Sequence, residues 1–353
     1  MYFKQFLHDD HGCASYFIAS RASREAAVVD PQVDVDPYLD LAAERGYRIT
    51  TVIDTHLHAD HVSGNRALAR ATGATVRLHS SAEVAFAFAP LEDEDVLPLG
   101  QLRLQVLHTP GHRIESISLL VVNPPRSPEP SMVLSGDTLF VGDVGRPDFG
   151  GDEGAEQQWS SVQRLLTLPD WVEVFPAHFE GSCGKAMCGR PSSTIGFERR
   201  FNPVLALSRQ EFLTYARQPP ARPLNMTAIM ATNQGRADLS HAQELGTPTS
   251  RMSVAEMKQL VTDGAVILDV REPAEYAGGH VPGARNLPQA ELLTRIDEIP
   301  RDRKLILVCE SGNRSQGAAR FLARQGYEDV ADVIGGTSAW RRSGEPLEPS
   351  PTG

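Results

Sequence analysis

Thr51-Val52-Ile53-Asp54-Thr55-His56-Leu57-His58-Ala59-Asp60-His61-Val62-Ser63-Gly64-Asn65 decides how the chain is read. Thr51–Asp54 is a short β-branched run and predicts a buried strand. The loop after it holds three imidazoles and a carboxylate between His56 and His61. Crowding these groups is unfavourable unless a cation compensates them, and imidazole with carboxylate is a ligand set for divalent transition metals. Donors of the same kind recur at the ends of other apolar runs: His112 in Thr109-Pro110-Gly111-His112, Asp137 in Ser135-Gly136-Asp137-Thr138, and His178 closing Val174-Phe175-Pro176-Ala177-His178. Loops at one edge of a sheet converge, so these residues are expected to meet. His8, His79 and His108 stand alone and carry no such signal, and Cys13 in Gly12-Cys13-Ala14-Ser15-Tyr16 reads most simply as core.

Outward from this loop, further runs read as strands: Tyr16–Ala19, Ala26–Val29, Thr75–Leu78, Leu102–Leu107, Ile117–Val122, Met132–Leu134 and Val172–Phe175. Helical patterns at Pro37–Arg45, Arg66–Ala71 and Glu156–Leu166 lie between some of them. From Arg217 to Ser250 the composition shifts to Pro, Gln, Asn, Thr and Ser, which reads as a domain tail and linker. Beyond it come a helix (Val254–Val261), strands (Ala265–Val270 and Lys304–Val308), a helix (Gln316–Gln325) and a strand (Val330–Ile334), alternating as a small parallel α/β unit does. The expected division is a domain over 1–236, a linker over 237–250 and a second domain over 251–353.

The 353 residues, 41% apolar and 22% charged, suffice for two cores. With 34 basic against 45 acidic residues, the net charge of −11 repels nucleic-acid phosphates and anionic lipid, and no basic patch offsets it. No apolar stretch approaches a membrane span, and Met1–Leu7 has no basic stretch leading into a long apolar run, so a cytoplasmic protein is expected. Four cysteines are too few for a disulfide scaffold.

Cys309 follows the apolar run Leu305–Val308 and opens Cys309-Glu310-Ser311-Gly312-Asn313-Arg314-Ser315, with a helical pattern after it. A thiol between a strand and a helix N-terminus sits where backbone N–H groups and the macrodipole stabilise a thiolate and any bound anion. Arg314 adds a fixed positive charge suited to sulfite or thiosulfate oxygens.

Residues 1 to about 235 resemble the metallo-β-lactamase superfamily, which implies an αββα sandwich with its metal site at one edge of two sheets. Thr55–Asn65 (THLHADHVSGN), Gly136–Phe140 (GDTLF), Gly145–Phe149 (GRPDF), Ser193–Pro203 (STIGFERRFNP) and the tail Pro223–Gly235 are similar to persulfide dioxygenases, and unlike the helical substrate-binding tail of glyoxalase II. The resemblance implies one Fe(II) per chain held by His56, His112 and Asp137, with open positions suited to oxygen chemistry. It further implies that His58, Asp60, His61 and His178 orient those ligands and move protons. The implied reaction oxidises a low-molecular-weight persulfide, such as glutathione persulfide, with dioxygen to sulfite and a thiol. Arg146 and Asp148 are candidates for holding the substrate, with a structural ion pair as the alternative reading. Phe179–Gly189 departs from the pattern, since glutathione-using relatives have Asp-Tyr and a shorter stretch there, so the thiol moiety is not fixed. Cys183 and Cys188 in this loop read either as a sulfur relay or as bystanders.

Leu268-Asp269-Val270-Arg271-Glu272, Glu275-Tyr276, Gly279–Asn286 (GHVPGARN) and Gly335-Gly336 before Trp340 resemble rhodaneses over about residues 251 to 345, implying a small parallel α/β domain. Related phosphatases use a loop one residue longer, so the span Cys309–Arg314 favours sulfane-sulfur transfer. The implied roles are Cys309 as nucleophile and persulfide carrier and Arg314 as anion ligand. Asp269, Arg271, Glu310, Ser311, Gly312, Asn313 and Ser315 would build and support the loop. The expected partners are a persulfide, dioxygen, thiosulfate and sulfite. Two other readings stay open: a dinuclear zinc thioester hydrolase of the glyoxalase II type with an appended rhodanese, and a non-catalytic persulfide carrier or sensor. The sequence does not decide the direction of sulfur flow or assembly into a homo-oligomer.

Overall fold

A computed structural model describes residues 1–8, 12–147, 151–180, 184, 187–217, 226–237, 250–262, 264–310 and 312–349. Two compact units emerge: the described residues of Met1–His8, Gly12–Pro220 and Met230–Ala237 form one, and those of Asp238–Gly353 form the bulk of the other. Of the expected site residues, Asp148, Cys183 and Ser311 lie outside the described residues, as does 238–249 of the expected linker.

The first unit holds two six-stranded sheets. One runs in the order β1 (Tyr2–His8), β2 (Cys13–Ala19), β3 (Glu25–Val29), β4 (Arg48–Ile53), β5 (Thr75–His79), β6 (Ala89–Leu91). The other comprises β7 (Val96–Leu99), β8 (Leu102–His108), β9 (Ile117–Val122), β10 (Pro130–Gly136), β11 (Glu173–Pro176) and β12 (Ser193–Thr194), also as consecutive neighbours. Every residue of β2 is buried because both faces of its sheet are covered. Ala14, Tyr16 and Ile18 point into the core shared with Leu104, Val106, Leu119 and Leu134 of the other sheet. Phe17 and Ala19 point the opposite way, onto α1 (Asp36–Arg45) and α2 (Asn65–Thr72) through Tyr38, Ala42 and Leu68. The outer face of the second sheet is covered by α3 (Gly151–Leu165), α4 (Ile195–Phe201) and α5 (Arg209–Ala216), with Val133 and Val174 against Val162, Ile195 and Phe212. Each such large side chain contributes roughly 1.5–3 kcal/mol by leaving water, which makes this layering the dominant stabilising feature. The arrangement is the αββα sandwich, helices outside and two sheets inside.

The expected strands and helices all occur, some longer and some shorter, with ends that differ by at most five residues. In this unit, the strands not expected are β1, β6, β7 and the two-residue β12. The first has no clean alternation because it lies at a sheet edge and is only half-buried, while β6 and β7 each contain a proline, tolerated at edge positions where no partner needs its N–H. The stretch 217–250 contains α6 (Met226–Asn233), a helix that the sequence reading did not single out. Its polar composition hides a helix stabilised by docking, with Met230 set among Leu57, Leu78 and Phe86.

The second unit is a five-stranded parallel sheet in the order β13 (Ser250–Met252), β17 (Val330–Val333), β16 (Leu305–Val308), β14 (Val266–Asp269), β15 (Arg285–Asn286). Helices Val254–Thr262, Pro273–Ala277, Asn313–Arg324 and Gly336–Arg342 accompany it. The buried run Leu305–Val308 is its central strand, apolar on both faces as a parallel strand requires. No helix among the described residues is long and apolar enough to cross a membrane.

Candidate metal centre

Four segments of the first unit deliver the expected donors from strand ends: the loop after β4, the turn after β8, the residue after β10 and the segment after β11. The two sheets are tied together at this edge, where Ile117 N donates to Thr55 O at 2.8 Å. His56, His112 and Asp137, all at most 2% exposed, place one ligand atom each within 4.8 Å of one another. Asp137 Oδ2 lies 3.7 Å from His56 Nε2 and 3.5 Å from His112 Nε2. Gly145 allows this closeness, since a Cβ there would sit 1.7 Å from Asp137 O.

The surrounding hydrogen bonds set the tautomers. His112 Nδ1 donates to the carbonyl of Arg146 at 2.7 Å, so its Nε2 carries the lone pair. Thr55 Oγ1 donates to the Asp30 carboxylate (2.9 and 3.1 Å) and therefore accepts from His56 Nδ1 at 3.1 Å, again leaving the lone pair on Nε2. Burial, then the neighbouring His58, holds His56 well below the ordinary imidazole range, so it is neutral. Burial alone would raise Asp137, but His178, His56 and the hydrogen bond from His178 outweigh it and keep the carboxyl ionised. Asp137 Oδ2 is nevertheless buried with no hydrogen-bond partner. A bare anionic oxygen facing two imidazole lone pairs is repulsive unless a cation sits between them. The spacings approach the roughly 3–3.5 Å expected of donors sharing one ion at about 2.1 Å. The residues present therefore fit a bound divalent metal.

The other expected residues form two clusters behind this triad. His58 turns away from it, with Nε2 3.1 Å from Asp30 Oδ1, and groups with buried Asp30 and Asp54. Desolvation would lower His58, but the hydrogen bond and charge of Asp30 prevail and raise it to about 9. Asp60 Oδ2 lies 3.1 Å from His61 Nδ1 and 2.8 Å from His178 Nε2, and His178 Nδ1 reaches Asp137 Oδ1 at 2.7 Å. Cys13 needs a new reading: although buried, it is not apolar filler. Its Sγ lies 3.4 Å from Asp60 Oδ2 and 3.8 Å from His61 Nδ1, because the start of β2 bridges His178. Arg146 is buried and presents its carbonyl to His112, whereas Cys188 is exposed. A positioning group the sequence reading missed is Gln158. Its Oε1 accepts from His112 N and its Nε2 donates to Thr138 O, both at 2.8 Å, so one α3 side chain braces two ligand loops. The available signal was a polar residue at helical spacing between buried Ala155 and Val162.

In the second unit Cys309 is fully buried at the end of β16, and Gly312 N donates to its Sγ at 3.1 Å. The loop is clasped from Gly336, where a Cβ would lie 2.1 Å from Cys309 O, and by Thr337 N and Ser338 N donating to the carbonyls of Cys309 and Glu310 at 2.8 and 2.9 Å. Arg271 is braced bidentately on Asp269 and donates to Glu310 at 3.0 Å, while Ser315 Oγ donates to Gly312 O at 3.0 Å. Asn313 opens the following helix. Arg314, expected as an anion ligand, directs NH1 and NH2 to the Glu275 carboxylate at 2.7 and 2.6 Å, because that acid lies across the loop and neutralises it. Glu275→Gln should lower the stability of this unit by about 1–2 kcal/mol, between the values for exposed and buried pairs. Urea unfolding followed in this unit checks it, and an unchanged midpoint would show the pair to be dispensable.

The metallo-beta-lactamase superfamily profile matches residues 8–178, and a rhodanese-like domain profile matches 253–343. A human protein named persulfide dioxygenase ETHE1, mitochondrial, is 31% identical over 200 residues, covering 56% of this chain and 74% of that one. The chain belongs to the metallo-β-lactamase superfamily. Within it, a Pseudomonas entomophila hydroxyacylglutathione hydrolase is 33% identical over 215 residues, covering 54% of this chain and 80% of that one. A crystal structure of ETHE1 from Myxococcus xanthus is 34% identical with a TM-score of 0.59, covering 67% of this chain and 100% of its own. A metallo-beta-lactamase from Staphylococcus aureus is 29% identical with a TM-score of 0.65, covering 94% of this chain and 99% of its own. This metallo-β-lactamase protein is thus homologous to persulfide dioxygenases and carries a C-terminal rhodanese domain.

Proposed function

We propose that the chain is an iron(II)-dependent persulfide dioxygenase, one iron per chain, whose rhodanese domain moves sulfane sulfur among thiosulfate, sulfite and thiols. The observation that carries this reading is that two imidazoles, His56 and His112, converge on the unpartnered carboxylate oxygen of Asp137. His58 Nε2 is engaged with Asp30, and His178 with Asp137 and Asp60, whereas His58 Nδ1 and His61 Nε2 are buried without a hydrogen-bond partner. Two imidazoles and one carboxylate leave positions open, the arrangement suited to iron and dioxygen. Named relatives point both ways, to a persulfide dioxygenase and to a glutathione-thioester hydrolase, and the three-donor set favours the first.

When bound, the iron supplies a meeting point for persulfide sulfur and dioxygen and the electronic coupling between them. The chain's own residues do the rest. Asp30 and Arg146 O fix the imidazole tautomers, and His178 holds Asp137 through Oδ1 so that Oδ2 faces the imidazoles. His178 and Asp60 provide a path for the protons released as R–S–SH, O2 and water become R–SH and sulfite. We take buried Arg146 as a candidate for binding an anionic group of the substrate. We take 1–236 as the oxidising domain, 237–250 as linker and 251–353 as the sulfurtransferase. Joining them in one chain raises the effective concentration of one domain's product at the other.

The test is oxygen uptake on adding glutathione persulfide, with sulfite and metal measured in the same preparation. One iron per chain and one sulfite per dioxygen are the expected results. Two zinc ions, hydrolysis of a glutathione thioester and no oxygen uptake would overturn the reading in favour of the hydrolase.

A further inference from the structure

We infer that Asn233, at the end of α6, is a positioning residue for the metal centre, an inference that rests on His56, His112 and Asp137 being the ligands. Its side chain is buried and makes three hydrogen bonds, all to the backbone of the loop carrying the histidine motif. Nδ2 donates to His58 O at 2.8 Å and to His61 O at 2.9 Å, and Oδ1 accepts from Ser63 N at 2.9 Å. A carboxamide is the one side-chain group that offers two donors and an acceptor in this compact plane. From another direction the same loop is held by Asp54, which accepts from Ser63 Oγ at 3.0 Å and Asn65 Nδ2 at 2.6 Å. The motif is thereby fixed between its parent strand and a helix about 170 residues later.

Asn233 itself has little freedom. Met230 packs against Leu57 and Leu78, Thr232 O accepts from Arg66 at 2.6 Å, and Gln234 O accepts from Ala85 N at 2.7 Å. What the clamp orients is Asp60, which lies between the two carbonyls it holds. Asp60 Oδ2 meets His178 Nε2 at 2.8 Å, and His178 Nδ1 meets Asp137 Oδ1 at 2.7 Å. Loosening the loop therefore releases the ring that aims the unpartnered oxygen of Asp137. Asn233 acts on the metal through that chain of contacts and through the backbone that presents His56.

The full chain, stripped of metal and loaded with cobalt(II), tests this without recourse to turnover. Asn233→Ala removes all three hydrogen bonds, and Asn233→Asp keeps the shape and the acceptor while removing both donors. In either variant the visible d–d absorption of bound cobalt should shift in position, and cobalt should pass to a chelator about tenfold faster or more. Far-UV circular dichroism of the same samples reports the folded fraction, and the isosteric Asp variant supplies the result should the Ala variant not fold. A purely structural asparagine would give the wild-type spectrum and release rate in every folded molecule, and that result overturns the inference while leaving the ligand assignment standing. Failure of the wild-type chain to bind cobalt at all overturns the ligand assignment and the inference together.

Discussion

Asp137→Asn should leave the chain folded but nearly free of metal, with persulfide-dependent oxygen uptake reduced by roughly 1000-fold or more. Asparagine keeps the volume of the side chain and an oxygen that can accept from His178, whose Nδ1 lies 2.7 Å from Asp137 Oδ1. It replaces the buried, partnerless Oδ2 and its charge, which face the two imidazoles. His56 is already held neutral by burial, so no new uncompensated charge appears and the fold should lose no more than about 1–3 kcal/mol. Replacing groups that merely orient ligands costs about 10–100-fold in affinity or activity, so losing one of three ligands should cost more. Metal content and oxygen uptake, measured on folded protein, check this. A variant that retains one iron per chain and oxidises persulfide at the wild-type rate would show that Asp137 is not a ligand.

The sandwich was legible because its central strands are buried on both faces and so read as nearly continuous apolar runs, as β9 does over Ile117–Val122. What escaped was stabilised by partners distant in sequence. The strand β1 is half-buried and its pattern is set by pairing with β2, not by its own periodicity. Helix α6 is only eight residues long and lies within a polar stretch, and its place is decided by Leu57, Leu78 and the histidine loop. Local propensity carries little information about such elements, because docking overrides it.

The site shows the same division. Ligand types repeated at strand ends suffice to bring His56, His112 and Asp137 together, since each is attached to an element the sequence specifies strongly. The groups that orient them were harder to see. Gln158 lies on a helix of the second sheet's cover, and Cys13 reaches Asp60 only because the start of β2 bridges the segment carrying His178. Asp30 resembles any acid closing a strand until Thr55 and His58 are placed around it. Arg314 shows the converse: its motif position was clear, yet its partner Glu275 is fixed by the fold of the loop around it.

Cys309→Ser should abolish sulfur transfer from thiosulfate, by about 1000-fold or more, while persulfide-dependent oxygen uptake persists. In the proposed reaction, the thiolate attacks the sulfane sulfur of thiosulfate, the S–S bond breaks with its electron pair leaving as sulfite, and Cys309 carries the persulfide. An acceptor thiolate then attacks the terminal sulfur and regenerates the Cys309 thiolate, so no net oxidation occurs. Serine is a far poorer nucleophile and forms no comparable carrier, which removes both half-reactions rather than slowing one. The substitution should not disturb the loop, because Thr337 N binds the backbone carbonyl of residue 309 and the serine oxygen can still accept from Gly312 N, which now meets Sγ at 3.1 Å. Mass spectrometry of the wild-type chain after thiosulfate should show one added sulfur on the peptide bearing Cys309, and none on that peptide from the variant. The two assays separate the domains chemically: transfer lost with oxygen uptake intact assigns transfer to this thiol. Full sulfurtransferase activity in the variant would mean that another cysteine carries the sulfur.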